Sequence, residues 1–78
     1  MIKKYYKMCE QLQEIFPKYI KNEQYQKKKN DIDAILSNDR TNSLEQLDNI
    51  IDLQYNNMDI FGLLACYDLY MDIRRYKH

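Results

Sequence analysis

Apolar residues in the first twenty positions recur at alternating steps of three and four, which is typical of one side of an α-helix. This seam consists of Ile2, Tyr5, Cys9, Leu12, Phe16 and Tyr19, and it is widened by Met8, Ile15 and Ile20. Pro17 falls inside the pattern, and a proline in a helix either ends it or kinks it, because the missing N–H and the ring disturb the preceding turn. The seam keeps its phase across Pro17, so the pattern favours one kinked helix over two separate helices.

The next stretch, residues 21–31, is polar except for Tyr25. It is either a solvated helical extension or a loop, because a single apolar side chain offers little to anchor a helix to a core. A short apolar cluster at helical spacing follows at Ile32, Ile35 and Leu36. Residues 37–42 (SNDRTN) are turn formers and predict a loop.

The second half of the chain predicts two more helices. From Ser43 to about Tyr55, Leu44, Leu47, Ile50 and Ile51 line one side of a helix, and Glu45, Asp48 and Asp52 line the other. From Met58 to Tyr76, apolar residues surround the helix axis, which is typical of a helix buried on several sides. Gly62 within it is explained by a close helix–helix crossing. We therefore expect an all-α fold, a small three- to four-helix bundle formed by a single domain (residues 1–78) around a hydrophobic C-terminal helix.

Composition agrees with this fold and suggests a location. The chain has one glycine and one proline in 78 residues, which disfavours the tight turns of a sheet. No apolar segment near the start resembles a signal peptide and no run is long enough to span a membrane, so we expect no membrane association and a cytoplasmic location. In that compartment Cys9 and Cys66 are expected to be buried free thiols.

No motif predicts an enzyme, a cofactor or a metal site. The one histidine, His78, is the last residue, and two cysteines 57 positions apart match no zinc spacing. Asp68 and Asp72 are i,i+4 neighbours, as in di-metal bundles, but those sites also use histidines. We expect instead that Asp68 or Asp72 pairs with a basic residue, such as Arg75 or a lysine of the first helix.

Charge is strongly sorted although the net charge is zero. Residues 1–29 contain eight lysines and three glutamates, whereas residues 30–73 contain one arginine, eight aspartates and one glutamate. Within the fold, the basic first helix can pack beside the acidic third. On the surface of the fold, the acidic residues of this second region predict an acidic, tyrosine-containing face that binds a basic protein surface. Its candidate residues are Asp31, Asp33, Asp39, Asp48, Asp52 and Asp59.

The first functional hypothesis is therefore a non-enzymatic protein-binding module, such as a small phage- or mobile-element-type inhibitor that modulates a host protein. An immunity- or antitoxin-type helical protein differs from it only in its partner. The alternative is a nucleic-acid-binding accessory protein that uses Tyr25 with Lys27, Lys28 and Lys29, because aromatic rings among lysines can stack bases. A homodimer through the hydrophobic C-terminal helix is a further expectation.

Overall fold

The computed structural model describes residues 2–38 and 42–76, and in these two ranges every long element is an α-helix. The helices are α1 (Tyr6–Ile15), α2 (Glu23–Asn38), α3 (Ser43–Asn56) and α4 (Ile60–Tyr76). Short 3-10 helices, Ile2–Tyr5 and Tyr19–Lys21, precede α1 and α2. The predicted all-α bundle is confirmed. None of the described helices is both long enough and apolar enough to cross a lipid bilayer.

Helix α4 is the centre of the bundle, as its apolar residues on all sides predicted. It packs most extensively against α2 and α3 and less extensively against α1. The run from Gly62 to Tyr67 is buried without interruption, and Leu69 and Tyr70 extend it. Burial of this helix by three neighbours explains how a short chain assembles one continuous core.

The first helix ends before Pro17, so the predicted kinked helix is wrong. The backbone leaves the helical region at Phe16, where φ is −122° and ψ is 69°. A residue that precedes proline is driven out of the α region by the proline ring, and Pro17 has no N–H to continue the ladder. The chain then turns, and Tyr19 returns to the core from the Tyr19–Lys21 3-10 helix, which is why the apolar phase looked unbroken.

The polar stretch 21–31 is helical. Asn22 caps α2: its side-chain oxygen accepts the N–H groups of Gln24 at 2.8 Å and Tyr25 at 3.3 Å. Tyr25 is buried and attaches the polar helix to the core. Helix α2 continues to Asn38, so the prediction of a loop over residues 37–42 is wrong for Ser37 and Asn38, and positions 39–41 lie outside the described residues.

Helices α3 and α4 cross closely at Gly62, as expected. A Cβ atom at this position would collide with Oε1 of Gln54 and would lie 2.9 Å from Oδ2 of Asp59. Gln54 is only 3% exposed, and its Oε1 has no hydrogen-bond partner. Between the helices, Met58 adopts a left-handed backbone with φ of 56°, and Asp59 then accepts the N–H of Gly62 at 2.9 Å.

Candidate functional site

An apolar groove lies at the corner where α1 ends and the chain turns toward α2. It has a volume of about 330 Å³ and opens to solvent beside the first turn of α4. Its lining consists of Ile15, Phe16, Pro17, Lys18, Tyr19, Asn22 and Phe61. The volume is at the lower end of the range of about 300–1,000 Å³ that is usual for ligand pockets. We call this feature the corner groove.

The apolar side chains around the corner groove are unusually accessible. Ile15 is 64% exposed and Phe16 is 43% exposed, and Ile20, in the adjacent 3-10 helix, is 57% exposed. The sequence pattern places all three on or beside the core seam, and that prediction is wrong for them. Because α1 stops at Ile15, the backbone turns these side chains away from α4. Grouped exposed apolar side chains of this kind mark interaction sites on soluble proteins.

The most buried residue that lines the corner groove, Tyr19, forms its floor and belongs to a hydrogen-bonded cluster around Asp68. The hydroxyl of Tyr19 donates to this carboxylate at 2.8 Å, and the hydroxyl of Tyr25 donates to the same oxygen at 2.5 Å. Gln13 donates through Nε2 to the Tyr19 hydroxyl at 2.9 Å and to the second Asp68 oxygen at 3.4 Å. We call these four residues the Asp68 cluster. It joins α1, the corner, α2 and α4.

The expectation that Asp68 or Asp72 pairs with a basic residue is confirmed at Asp72, although the partner is not one of those named. Asp68 accepts neutral donors, the two tyrosine hydroxyls and Gln13, instead of pairing with a lysine of the first helix. Asp72 forms an ion pair with Lys29 of α2 at 3.7 Å, and not with Arg75 or a lysine of α1. Tyrosines can satisfy a half-buried carboxylate because each supplies one O–H donor from an apolar ring.

The tyrosine hydroxyls and cysteine thiols in this part of the core are held in their neutral forms. Burial and the bond to Asp68 raise the pKa of Tyr19 to about 12, and the same two causes raise the pKa of Tyr25 further. Burial raises the pKa of Cys9 and of Cys66 to about 12, so neither thiol is a ready nucleophile at neutral pH. Both are free and buried, as predicted. Among residues 2–38 and 42–76, no group of His, Cys, Asp or Glu is placed to hold a metal ion.

Two of the predicted acidic residues, Asp48 and Asp52, are engaged with the N-terminal segment of the chain. Asp48 accepts the backbone N–H of Ile2 at 2.6 Å. Asp52 accepts the Tyr5 hydroxyl at 2.5 Å and lies 3.7 Å from Nζ of Lys4. The hydroxyl of Tyr5 and the charge of Lys4 lower the pKa of Asp52. The basic N-terminal segment therefore packs on the acidic side of α3, which is the internal complementarity that the charge pattern suggested.

The remaining acids are distributed over other elements. Asp59 caps α4 and pairs with Lys28 of α2 at 3.4 Å. Asp31 and Asp33 are exposed on α2, on either side of the buried Ile32, and Asp39 lies outside the described residues. The five described candidates thus lie on α2, on α3 and immediately before α4, and three of them already have partners within the chain.

The residues of the nucleic-acid hypothesis are also mostly engaged. Tyr25 is buried, and its ring meets the ring of Tyr19 edge-on at 5.0 Å. Lys28 pairs with Asp59, and Lys29 pairs with Asp72 and lies 6.0 Å from the centre of the Tyr25 ring. Stacking of a base on Tyr25 would require α2 to separate from α4. Lys27 is exposed.

The corner groove was missed by sequence reasoning, although one signal pointed to it. A proline in the middle of an apolar seam ends the helix, and the apolar residues next to it then leave the core. Phe61, the lining residue from α4, gave no separate signal because every side of that helix is apolar. Comparison of the chain with models of protein families, with curated proteins and with solved structures finds no match.

Proposed function

We propose that this chain is a protein-binding module without chemistry of its own, and that the corner groove is its binding site. The observation that carries the proposal is the exposure of Ile15 and Phe16 at a concave site whose floor is held by the Asp68 cluster. Burying a fully exposed isoleucine or phenylalanine contributes about 1.5–3 kcal/mol each, so these two side chains can form the apolar centre of a larger contact.

The chemistry of the groove describes what it binds. Its walls are apolar, while Lys18 and Asn22 provide polar atoms at the rim. A bulky apolar side chain from a partner would fill the groove, and a carboxylate or carbonyl beside it would meet Lys18. Such a contact is small, and the fixed floor helps it because little ordering of the groove is needed on binding.

A small module that only occupies a surface acts by blocking or modulating its partner. This agrees with the hypothesis of an inhibitor encoded by a phage or mobile element and directed at a host protein, which we retain as part of the proposal. Asp31 and Asp33, exposed on α2, supply the negative charge that would steer such an encounter.

A pair of matched substitutions tests the groove. Ile15→Lys places a charge in it, at the last residue of α1, where a positive charge suits the helix dipole. Ile35→Lys is the control, because Ile35 is also a half-exposed isoleucine (50%) in the last turn of a helix but does not line the groove. Tagged wild-type and Ile35→Lys proteins should capture the same stoichiometric partner from a lysate of the native host, and Ile15→Lys should not. Equal capture by all three proteins would reject the groove as the binding site.

A further inference from the structure

We propose that a second copy of this chain occupies the corner groove, with its Met58 side chain inserted between Ile15, Phe16 and Phe61. The inference rests on the proposed function, because it assumes that the groove is a protein-binding site. It adds the identity of one occupant and a form of regulation, since a dimer of this kind closes the groove to any other partner.

Met58 has the properties of an inserted side chain. It is 87% exposed, the turn between α3 and α4 projects it into solvent, and its φ of 56° is a conformation that costs a non-glycine residue free energy. Glycine or asparagine is the usual choice there, so the sequence tolerates strain to keep a long apolar side chain. Methionine is unbranched and flexible, and it adapts to irregular apolar cavities.

Charges around the groove and around Met58 are complementary. Lys18 lies at the rim of the groove, while Asp59 follows Met58 directly and keeps about a third of its side chain exposed beside Lys28. When Met58 of one copy enters the groove of the other, Lys18 of the second copy meets the carboxylate of Asp59. The net charge of zero means that no overall repulsion opposes the approach of two copies.

The arrangement is suited to two-fold symmetry. Met58 stands immediately before α4, and Phe61 in the first turn of α4 lines the groove, so the inserted side chain and the receiving site are at the same end of one helix. Ile60, which lies between them, is also exposed. A surface that carries both parts can pair with itself, and each copy then gives and receives one Met58.

Sedimentation of the purified full chain over a micromolar to millimolar series tests the inference. Wild type and Ile35→Lys should shift from monomer to dimer, whereas Met58→Gly and Ile15→Lys should have a dimer dissociation constant raised at least tenfold. A wild type that stays monomeric to millimolar concentration, or a Met58→Gly protein that dimerises like wild type, would overturn the inference. Fibres or larger oligomers would also overturn it, because they indicate an open head-to-tail contact.

A mixing experiment excludes damage to the fold as the cause. Met58→Gly keeps the groove and lacks the inserted side chain, while Ile15→Lys keeps Met58 and lacks the groove. An equimolar mixture retains one of the two contacts, so it should associate more strongly than either variant alone. A mixture that behaves like its separate components would contradict the pairing of Met58 with the groove.

The two proposals fail in different ways. Met58→Gly leaves the groove open, so it should still capture the host partner, and Ile15→Lys should lose both the partner and the dimer. If wild type does not dimerise while Ile15→Lys still loses the host partner, the function stands and the dimer is rejected. If wild type dimerises through Met58 while Ile15→Lys captures the host partner as wild type does, the host-binding role of the groove is rejected.

Discussion

The effect of the packing of α3 against α4 at Gly62 can be measured through the free energy of unfolding. In an open helix, replacing glycine by alanine stabilises by about 1 kcal/mol, because alanine loses less conformational entropy on folding. Here the added Cβ would collide with Oε1 of Gln54 and crowd Oδ2 of Asp59 at 2.9 Å. Overpacking of this kind costs about 1–3 kcal/mol, and disturbing the Asp59 cap adds about 1 kcal/mol.

The terms sum to a net loss, so we expect Gly62→Ala to lower the free energy of unfolding by about 1–3 kcal/mol. For a domain of this size the melting temperature should fall by roughly 4–24 °C, since 1 kcal/mol corresponds to about 4–8 °C. The assay is urea and thermal denaturation followed by far-UV circular dichroism. An increase of about 1 kcal/mol would refute the reasoning, because it would mean that helix propensity outweighs the crossing.

Gln54→Ala provides the matched background. This substitution removes the Gln54 side chain with which the Cβ added at position 62 would collide. No hydrogen bond to Oε1 is lost, because this atom has no partner. In this background Gly62→Ala should be neutral or stabilising. The double-mutant cycle should therefore show a coupling of about 1–3 kcal/mol, and a coupling near zero would place the cost of Gly62→Ala elsewhere.

Three further predictions concern the tyrosines, the cap of α2 and the strained turn. The pKa values of Tyr5 and Tyr19 are raised to about 12, whereas the unfolded chain releases these protons near pH 10, so the contribution of these two tyrosines to stability should be constant below about pH 10 and be lost between about pH 10 and 12. Urea unfolding across that range measures the slope, which Tyr5→Phe should reduce; an unchanged slope would contradict this assignment. Asn22→Ala should cost about 1 kcal/mol because α2 loses the acceptor of its first N–H groups, and Asn22→Asp should restore the stability in the same assay; equal losses for both would argue against capping. Met58→Gly should raise the free energy of unfolding by about 1 kcal/mol by relaxing the left-handed backbone, and a loss of stability would mean that Met58 packs on the fold.

The parts of the fold that sequence reasoning predicted are those set by burial alone. Helix α4 was recognisable because apolar residues surround its axis, and α3 because its apolar and acidic sides are separate. Periodicity alone could not predict whether the helix ends or kinks at Pro17. Both structures return Tyr19 to the core, so both give the same apolar pattern. The polar first part of α2 was left open because its attachment to the core depends on one buried tyrosine and one capping asparagine, which a count of apolar residues undervalues.

The candidate site was less predictable than the fold. Asp68 or Asp72 was expected to pair with a basic residue, and Asp72 does so with Lys29, but Asp68 has no basic partner of this kind among the described residues. Two tyrosine hydroxyls from a different part of the chain satisfy it instead, and nothing in their sequence spacing shows that they converge. The corner groove depends on the direction that the chain takes after Pro17, and that direction is set by tertiary packing.

The Asp68 cluster selects one rotational setting of α4 about its own axis. A helix that is apolar on every side could be rotated about its axis and still bury a similar area, so hydrophobic burial leaves several rotational settings nearly equal in free energy. Asp68 distinguishes them, because only one setting brings its carboxylate within reach of the hydroxyls of Tyr19 and Tyr25 and the amide of Gln13. Any other setting would deprive the Asp68 carboxylate of these hydrogen-bond donors. We therefore expect substitutions at the four positions of the Asp68 cluster to occur together during evolution. The surrounding leucines and isoleucines can be replaced by one another independently.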